Sequence, residues 1–277
     1  MESLLDRVRA ADVRLDPFPH IAVTEALDPD LVARLQAEFP PLDVVAGDQS
    51  AANNRRMGMP ARHVLDNPAV SDLWRQFIGR HVSQDFLDDL VRVFADGVRL
   101  AHPDLEERLG PLEELRAGVR GLDDDADVAL DAQISVNTPV RTPTSVRGAH
   151  LDDPDKLFAG LFYLRRDDDD SSGGDLQLHR YRRGRRGFRG PEIYDTFVEP
   201  VHTVRYASNT LVLFVNSPLS LHGVTVRSVT DVPRRFVNLI AKVREPLFDV
   251  APFQATLRDK VIAGPELAQR RLKALRG

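Results

Sequence analysis

The chain contains no cysteine. That excludes a disulfide framework and any thiolate metal site. It has no apolar run long enough to span a bilayer. Its start, "MESLLDRVRAADVRLD", is charged throughout and lacks the apolar core of a signal peptide. The expectation is therefore a soluble, cytoplasmic protein that does not enter membranes. No charge sign dominates: the net charge is -5, so bulk electrostatics do not favour nucleic acid. There is no internal repeat.

What is present is a core-forming composition. The 277 residues are 42% hydrophobic and 29% charged, enough for one large domain with helical additions. Up to about residue 125 the pattern is helical. "LDPDLVARLQAEFP" offers Asp28 as an N-cap and Pro29 at the first helical position, with Leu31, Val32, Leu35 and Phe39 on one face. Val70, Leu73, Trp74, Phe77 and Ile78 keep helical spacing, and a second stripe runs from Phe86 through Leu90 to Phe94. "HPDLEERLGPLEELRAG" reads as two short helices, and "LDDDAD" as an acidic boundary turn.

Beyond that turn, short Val-, Leu-, Phe- and Thr-rich runs alternate with turn clusters. Strands are expected at "VALDAQISVN", "TSVRGAH", "LFAGLFYLR", "DLQLHRY", "VHTVRY", "TLVLFVN", "LHGVTV" and "RRFVNLIAKV". That density suggests a barrel or a double-sheet jelly roll. The expected organisation is a helical lead-in over 1–125, a β core over 126–247 and a helical tail over 248–277, ending in the amphipathic "GPELAQRRLKALRG". The fold class is α+β with a mainly β core.

Two His-x-Asp pairs stand in the chain. In "HPDLEERL", His102 and Asp104 flank a helix start, where the helix dipole favours the aspartate. In "HLDDPDKLFAGLFYLR", His150 and Asp152 lead into a strand, and alternate residues of an extended chain share a face. Two histidines and a carboxylate on one face, with positions left open, suit non-haem iron(II). Downstream, "SPLSLHGVTV" presents His222 at a strand start and "VPRRFVNLIAKV" presents Arg234 at another. A buried arginine on a strand needs an anion. His202 and His179 lack such surroundings.

These pieces occur in one order: His150-Leu151-Asp152, Tyr163-Leu164, Gly173-Gly174-Asp175-Leu176-Gln177-Leu178, Leu211 to Phe214, Ser220-Leu221-His222-Gly223-Val224 and Arg234. The stretch from about Ala132 to Val243 thereby resembles the iron(II)- and 2-oxoglutarate-dependent oxygenases, most closely their prolyl-4-hydroxylase-like branch. The resemblance implies a double-stranded β-helix (jelly roll, cupin-like) with the helical region packed on it. It implies iron(II) on His150, Asp152 and His222, with 2-oxoglutarate and O2 as co-substrates. It also implies release of succinate and CO2, coupled to oxidation of an unactivated C–H bond. Hydroxylation is the usual outcome, and desaturation or ring closure occurs in relatives. Halogenation normally needs loss of the carboxylate ligand, which Asp152 supplies here. The distal co-substrate carboxylate would meet Arg234, with Tyr163 and Asn238 beside it. Arg235 is the alternative anchor, and the family's tryptophan is Ile240 here. Gln133 and Asn137 share a strand face and are candidates for lining the site.

The expected substrate is a small amino-acid-like or natural-product molecule, and protein side-chain hydroxylation is the enzymatic alternative. A non-enzymatic jelly-roll binding protein is the third reading, with "RYRRGRRGFRG" as a short RNA-like patch. Strand counting brings that loop to the rim that carries His150, so Arg182, Arg183, Arg185 and Arg186 are candidates for holding an anionic substrate. Monomer and homodimer both remain open.

Overall fold

The computed structural model describes residues 1–47, 52–182 and 184–266. The lead-in carries β1 (His20–Thr24), α1 (Pro29–Ala37), α2 (Leu42–Ala46), β2 (Arg56–Met59), α3 (Ala61–Val64), α4 (Asp72–Arg80), α5 (Gln84–Ala101), α6 (Leu105–Leu109) and β3 (Ala117–Val119). The core adds β4 (Val128–Asn137), β5 (Lys156–Tyr163), β6 (Leu176–Tyr181), β7 (Phe188–Arg189), β8 (Glu192–Ile193), β9 (Val198–Val204), β10 (Thr210–Val215), β11 (His222–Val224) and β12 (Arg234–Lys242), followed by α7 (Leu257–Ile262).

Helices α1 and α4 begin where their capping residues stand. Asp28 accepts the Asp30 N–H at 2.9 Å, with Pro29 in the first turn, and Ser71 caps α4 through the Trp74 N–H. Such caps contribute about 1 kcal/mol each. Leu35, Trp74, Phe77, Ile78, Phe86, Leu90 and Phe94 are buried in one cluster.

The larger sheet runs in the order β1-β10-β5-β12-β4-β2, with β3 parallel to β4. The smaller runs β11-β6-β9. Alternation along the strands gives the larger sheet two different faces. Ile134, Val136, Phe158, Phe162, Leu211, Leu213, Val237 and Leu239 point to the helices. Ala159, Tyr163, Val212, Phe214 and Phe236 point the other way and pack with Leu176, Leu178, Val204 and Tyr206 of the smaller sheet and its flanking turn. The molecule is thus a helical layer and two facing sheets, and the space between the sheets is where side chains of both meet.

Two sequence expectations are corrected, and a third falls mostly beyond the described residues. The lead-in is not purely helical, because β1 and β2 supply both edges of the larger sheet and β3 pairs alongside. "TSVRGAH" forms no strand; its backbone makes isolated bridges at Thr144–Arg227 and His150–His222, since the short β11 offers little length to pair with. The tail helix lies outside the described residues from 267 onward.

The glycine pair before β6 has a steric cause. Gly173 and Gly174 have φ of +74° and +76°, and a Cβ on Gly173 would meet the Val226 carbonyl oxygen at 1.9 Å. Only glycine allows that turn. No helix among the described residues is long and apolar enough to cross a membrane.

One helix packs around a neutral histidine. His81 donates from Nδ1 to the Phe77 carbonyl at 2.7 Å and accepts the Leu4 N–H on Nε2 at 3.0 Å. Burial pushes its pKa down to about 4. The folded pKa lies below the unfolded one, so this contribution is present above pH 6.5 and is lost as pH falls towards 4, amounting to about 3 kcal/mol. His81→Gln should therefore be less stable than the parent at pH 7, and the gap in denaturant midpoint should narrow by pH 4.5. A gap independent of pH would remove this assignment.

Candidate metal centre and co-substrate pocket

His150 and His222 sit opposite each other on two backbone segments that exchange hydrogen bonds. The His150 N–H donates to the His222 carbonyl at 2.9 Å, and the His222 N–H donates back at 3.1 Å. Gly223 makes this approach possible: a Cβ there would press on the backbone of Gly148 and Ala149 at about 3.0 Å. The two imidazoles end with centroids 4.2 Å apart.

Each ring is oriented the same way. Nδ1 of His150 lies 2.8 Å from the Gly148 carbonyl, and Nδ1 of His222 lies 2.9 Å from the Ser220 carbonyl. A carbonyl can only accept, so Nδ1 carries the proton and the Nε2 lone pair is free. Both Nε2 atoms face Asp152, at 4.0 Å from His150 to Oδ1 and 3.8 Å from His222 to Oδ2. Burial lowers the pKa of both histidines, which keeps them neutral at neutral pH. Burial alone would raise that of Asp152, but the imidazoles of His222 and His150 and the Lys156 ammonium facing it outweigh this, and its pKa is lowered. With the rings neutral, the standing charge is the Lys156 ammonium, 3.0 Å from Oδ1.

The donor atoms of the three residues lie within 4.8 Å of one another. Two donors on one ion at about 2.1 Å can be no more than about 4.2 Å apart. Both histidine–aspartate separations fall inside that limit. Two neutral imidazoles and one ionised carboxylate, with no thiolate, form the donor set suited to non-haem iron(II). The residues present therefore fit such an ion. His102 does not join them: its Nε2 donates to the Asn216 carbonyl (2.7 Å) and its ring stacks on Phe248, while Asp104 pairs with Arg108.

A cavity of about 250 Å³ opens beside the triad, lined by both sheets. The register across β2, β4 and β12 is Arg56 opposite Asn137 and Asn137 opposite Arg234. All three point into the cavity, as do Phe236 and Asn238 further along β12. Arg234 is 2% exposed, with its guanidinium 4.8 Å from the ring centres of Tyr163 and Tyr206. Its Nη1 donates to Asn137 Oδ1 at 3.2 Å. Its Nε and Nη2, the Asn137 amide nitrogen and the Tyr163 hydroxyl are buried and meet no hydrogen-bond partner among the described residues. Arg235 faces the opposite side of the sheet, over the ring of Phe39.

Arg227, equally buried, shows what such a group ordinarily finds. It holds Asp169 at 2.8 Å, with its guanidinium 5.9 Å from the Tyr206 ring centre. Arg234 has the aromatic cage without the carboxylate. Unpaired buried charge is expensive, so the arrangement fits a carboxylate from outside the chain. The aromatic Tyr206 was not foreseen in the sequence, where it reads as part of the turn "YASN".

The arginine-rich loop does reach the rim expected of it. Glu192 bridges to His150, and the Leu151 N–H donates to the Pro191 carbonyl. None of its described arginines lines the cavity. Arg182 pairs with Glu199, Arg186 with Asp259, and Arg185 lies over Phe253; Arg183 lies outside the described residues. The cations that line the cavity are instead Arg56, Arg147, Lys156 and Arg234. Of the two strand-face candidates, Asn137 lines it, while Gln133 accepts from Arg56 and donates to Asp131.

No protein-family model matches the sequence, and no curated protein matches it. Solved structures do match. A prolyl 4-hydroxylase from Phytophthora capsici aligns over 87% of this chain and 64% of its own, at 15% identity and a TM-score of 0.50. A prolyl-4-hydroxylase from Pseudomonas putida aligns over 88% of this chain and 100% of its own, at 16% identity and a TM-score of 0.49. HygX from Streptomyces hygroscopicus, solved with nickel and 2-oxoglutarate bound, aligns over 83% and 85%, at 14% identity and a TM-score of 0.43. The chain shares the fold of the prolyl 4-hydroxylases.

Substitution separates the two His-x-Asp pairs. His150→Ala, Asp152→Ala and His222→Ala should each weaken Co(II) binding, read from its visible absorption, by roughly 100-fold or more. His102→Ala should bind Co(II) like the parent. Parent-like binding by Asp152→Ala would dismantle the triad.

Proposed function

We propose that the protein is an iron(II)- and 2-oxoglutarate-dependent dioxygenase built on a double-stranded β-helix. It oxidises an unactivated C–H bond of a small molecule, by hydroxylation, with release of succinate and CO2. The observation that carries this reading is the pairing of two unmet demands in one cavity: a triad whose donors converge, and a caged arginine with no carboxylate.

In this reading His150, Asp152 and His222 hold iron(II). The bound metal supplies activation of O2 coupled to decarboxylation of the keto acid. The chain's own residues do the rest. The carbonyls of Gly148 and Ser220 keep both Nε2 lone pairs aimed at one point, so little rearrangement accompanies metal binding. Arg234 takes the distal carboxylate of 2-oxoglutarate, and Tyr163 and the Asn137 amide complete its shell. Asn238 is the next residue on the same face of β12 beyond Phe236 and lines the same cavity. Val146, Leu161, Leu176, Phe214 and Val224 give the cavity apolar walls, which exclude water from the reacting carbon. Its size favours a small substrate over a folded protein surface.

The test is anaerobic titration with Fe(II) and 2-oxoglutarate, read by the visible charge-transfer band of a chelated keto acid, followed by succinate release on admitting O2. Arg234→Lys loses the bidentate fork and should raise the KM for 2-oxoglutarate roughly 10- to 100-fold while iron affinity stays nearly constant. The same effect from Arg235→Lys instead, or full turnover by Asp152→Ala, would overturn the assignment.

A further inference from the structure

The cavity holds more positive charge than its metal and co-substrate can use. Its walls carry four cationic side chains, Arg56, Arg147, Lys156 and Arg234, against one carboxylate, Asp152. The two positive charges of a divalent ion and the two negative charges of 2-oxoglutarate cancel. Asp152 offsets one cation, and an excess of three remains in a partly enclosed, apolar-walled space. Such a field favours anions strongly.

Placement says which cations are left over. Arg234 is deep, in the aromatic cage, and is matched by the distal carboxylate of the co-substrate. Arg56 stands two strands away in the same cross-sheet row, on β2 at the sheet edge, exposed to solvent and yet part of the cavity wall. It marks the mouth. Its side chain donates to the neutral amide of Gln133 at 2.8 Å, not to a carboxylate. Among the described residues, Arg147, on the loop before His150, has a carboxylate partner only in Asp152 at 3.9 Å, and Lys156 only in the same group at 3.0 Å. Once Asp152 ligates a metal, its charge is shared with that ion and both side chains lose most of their counter-charge. Arg182 and Arg186 of the neighbouring loop, by contrast, already have Glu199 and Asp259.

On the reading of the site given above, we infer that the primary substrate carries an anionic oxygen group, a carboxylate or a phosphate, held at the cavity mouth by Arg56 and Arg147 with Lys156 behind them. The group is an anchor, and the carbon skeleton beyond it lies along Val146, Leu176 and Val224 towards the triad. Arginine suits this task because its planar fork matches both carboxylate and phosphate oxygens.

The experiment uses the full chain loaded anaerobically with Mn(II) and 2-oxoglutarate, with acetate and methylphosphonate as probes. Loading is measured separately, by electron paramagnetic resonance and by co-substrate binding. Paramagnetic relaxation of the acetate protons or of the methylphosphonate phosphorus then reports an anion bound near the metal. Saturable enhancement for at least one probe is expected, and the favoured probe tells a carboxylate from a phosphate anchor. Arg56→Gln with Arg147→Gln should weaken that probe's binding by about tenfold or more. This variant should hold Mn(II) at least as tightly as the parent, because a cation beside a ligand has been removed. Arg56→Gln alone, at an exposed edge position, should show an intermediate loss. No saturable enhancement for either probe, or equal enhancement in the double variant, overturns the inference while leaving the metal reading intact. Failure of the parent chain to take up Mn(II) and 2-oxoglutarate would overturn the reading of the site itself, and the inference with it.

Discussion

The register between β12 and β4 is the constraint on which the cavity depends. It sets Arg234 opposite Asn137, Phe236 opposite Ser135 and Asn238 opposite Gln133, all on the face turned to the smaller sheet. A slip of one residue would exchange the two faces of β12. Val237 and Leu239 would then leave the helical core for the cavity, and Arg234 would be thrust among apolar side chains. Each such exchange costs on the order of 2 kcal/mol, so the register is held firmly by the sum. The Tyr206 hydroxyl adds a local lock by accepting the Arg235 N–H at 2.9 Å. The same tyrosine presents its ring to Arg234. One side chain thus fixes the strand and shapes the pocket that the strand's arginine enters.

The metal-binding geometry rests on a second, more local device: a carbonyl two residues upstream of each histidine that accepts from Nδ1. That device does not by itself mark a metal site. His20 makes the same bond to the Phe18 carbonyl, and its ring lies 6.0 Å from that of His202. What distinguishes His150 and His222 is what their Nε2 atoms face. Around His20 no metal-binding cluster forms among the described residues, whereas Asp152 closes the triad. Orientation is supplied by the backbone, and function by the third donor.

Much of this was legible in the sequence because it depends on near neighbours. The alternation in "RRFVNLIAKV" separates Arg234 from Arg235 by face, and the Asp28-Pro29 start of α1 stands as read. The β1 and β2 edge strands were hidden because they are short and lie among helices, and their partners are distant in sequence: β2 pairs with β4 and β1 with β10. Arg56 therefore carried no signal. Lys156 was visible four residues after Asp152, but only the turn at "DDPDK" brings its ammonium back onto that carboxylate. The loop arginines misled for the opposite reason. Their density suggested an anion site, yet density says nothing about partners, and Asp259 lies far along the chain from Arg186.

The position of Lys156 bears on how the site exists without its metal. A buried carboxylate with no counter-charge would take up a proton and lose its value as a ligand. The ammonium at 3.0 Å keeps Asp152 ionised inside a buried site. On the proposed function an incoming metal would meet a carboxylate that needs no deprotonation, but would share it with a cation already present. The repulsion between Lys156 or Arg147 and an incoming divalent ion weakens metal binding on its own, and a dianion arriving with the metal relieves it. On the proposed function the same cations would have two effects: they keep the carboxylate ionised, and they make occupancy by metal and anions together more favourable than occupancy by metal alone. Arg234, caged and with Nε and Nη2 making no hydrogen bond among the described residues, extends this logic to the far end of the cavity, where the proposed function supplies the missing carboxylate from the co-substrate.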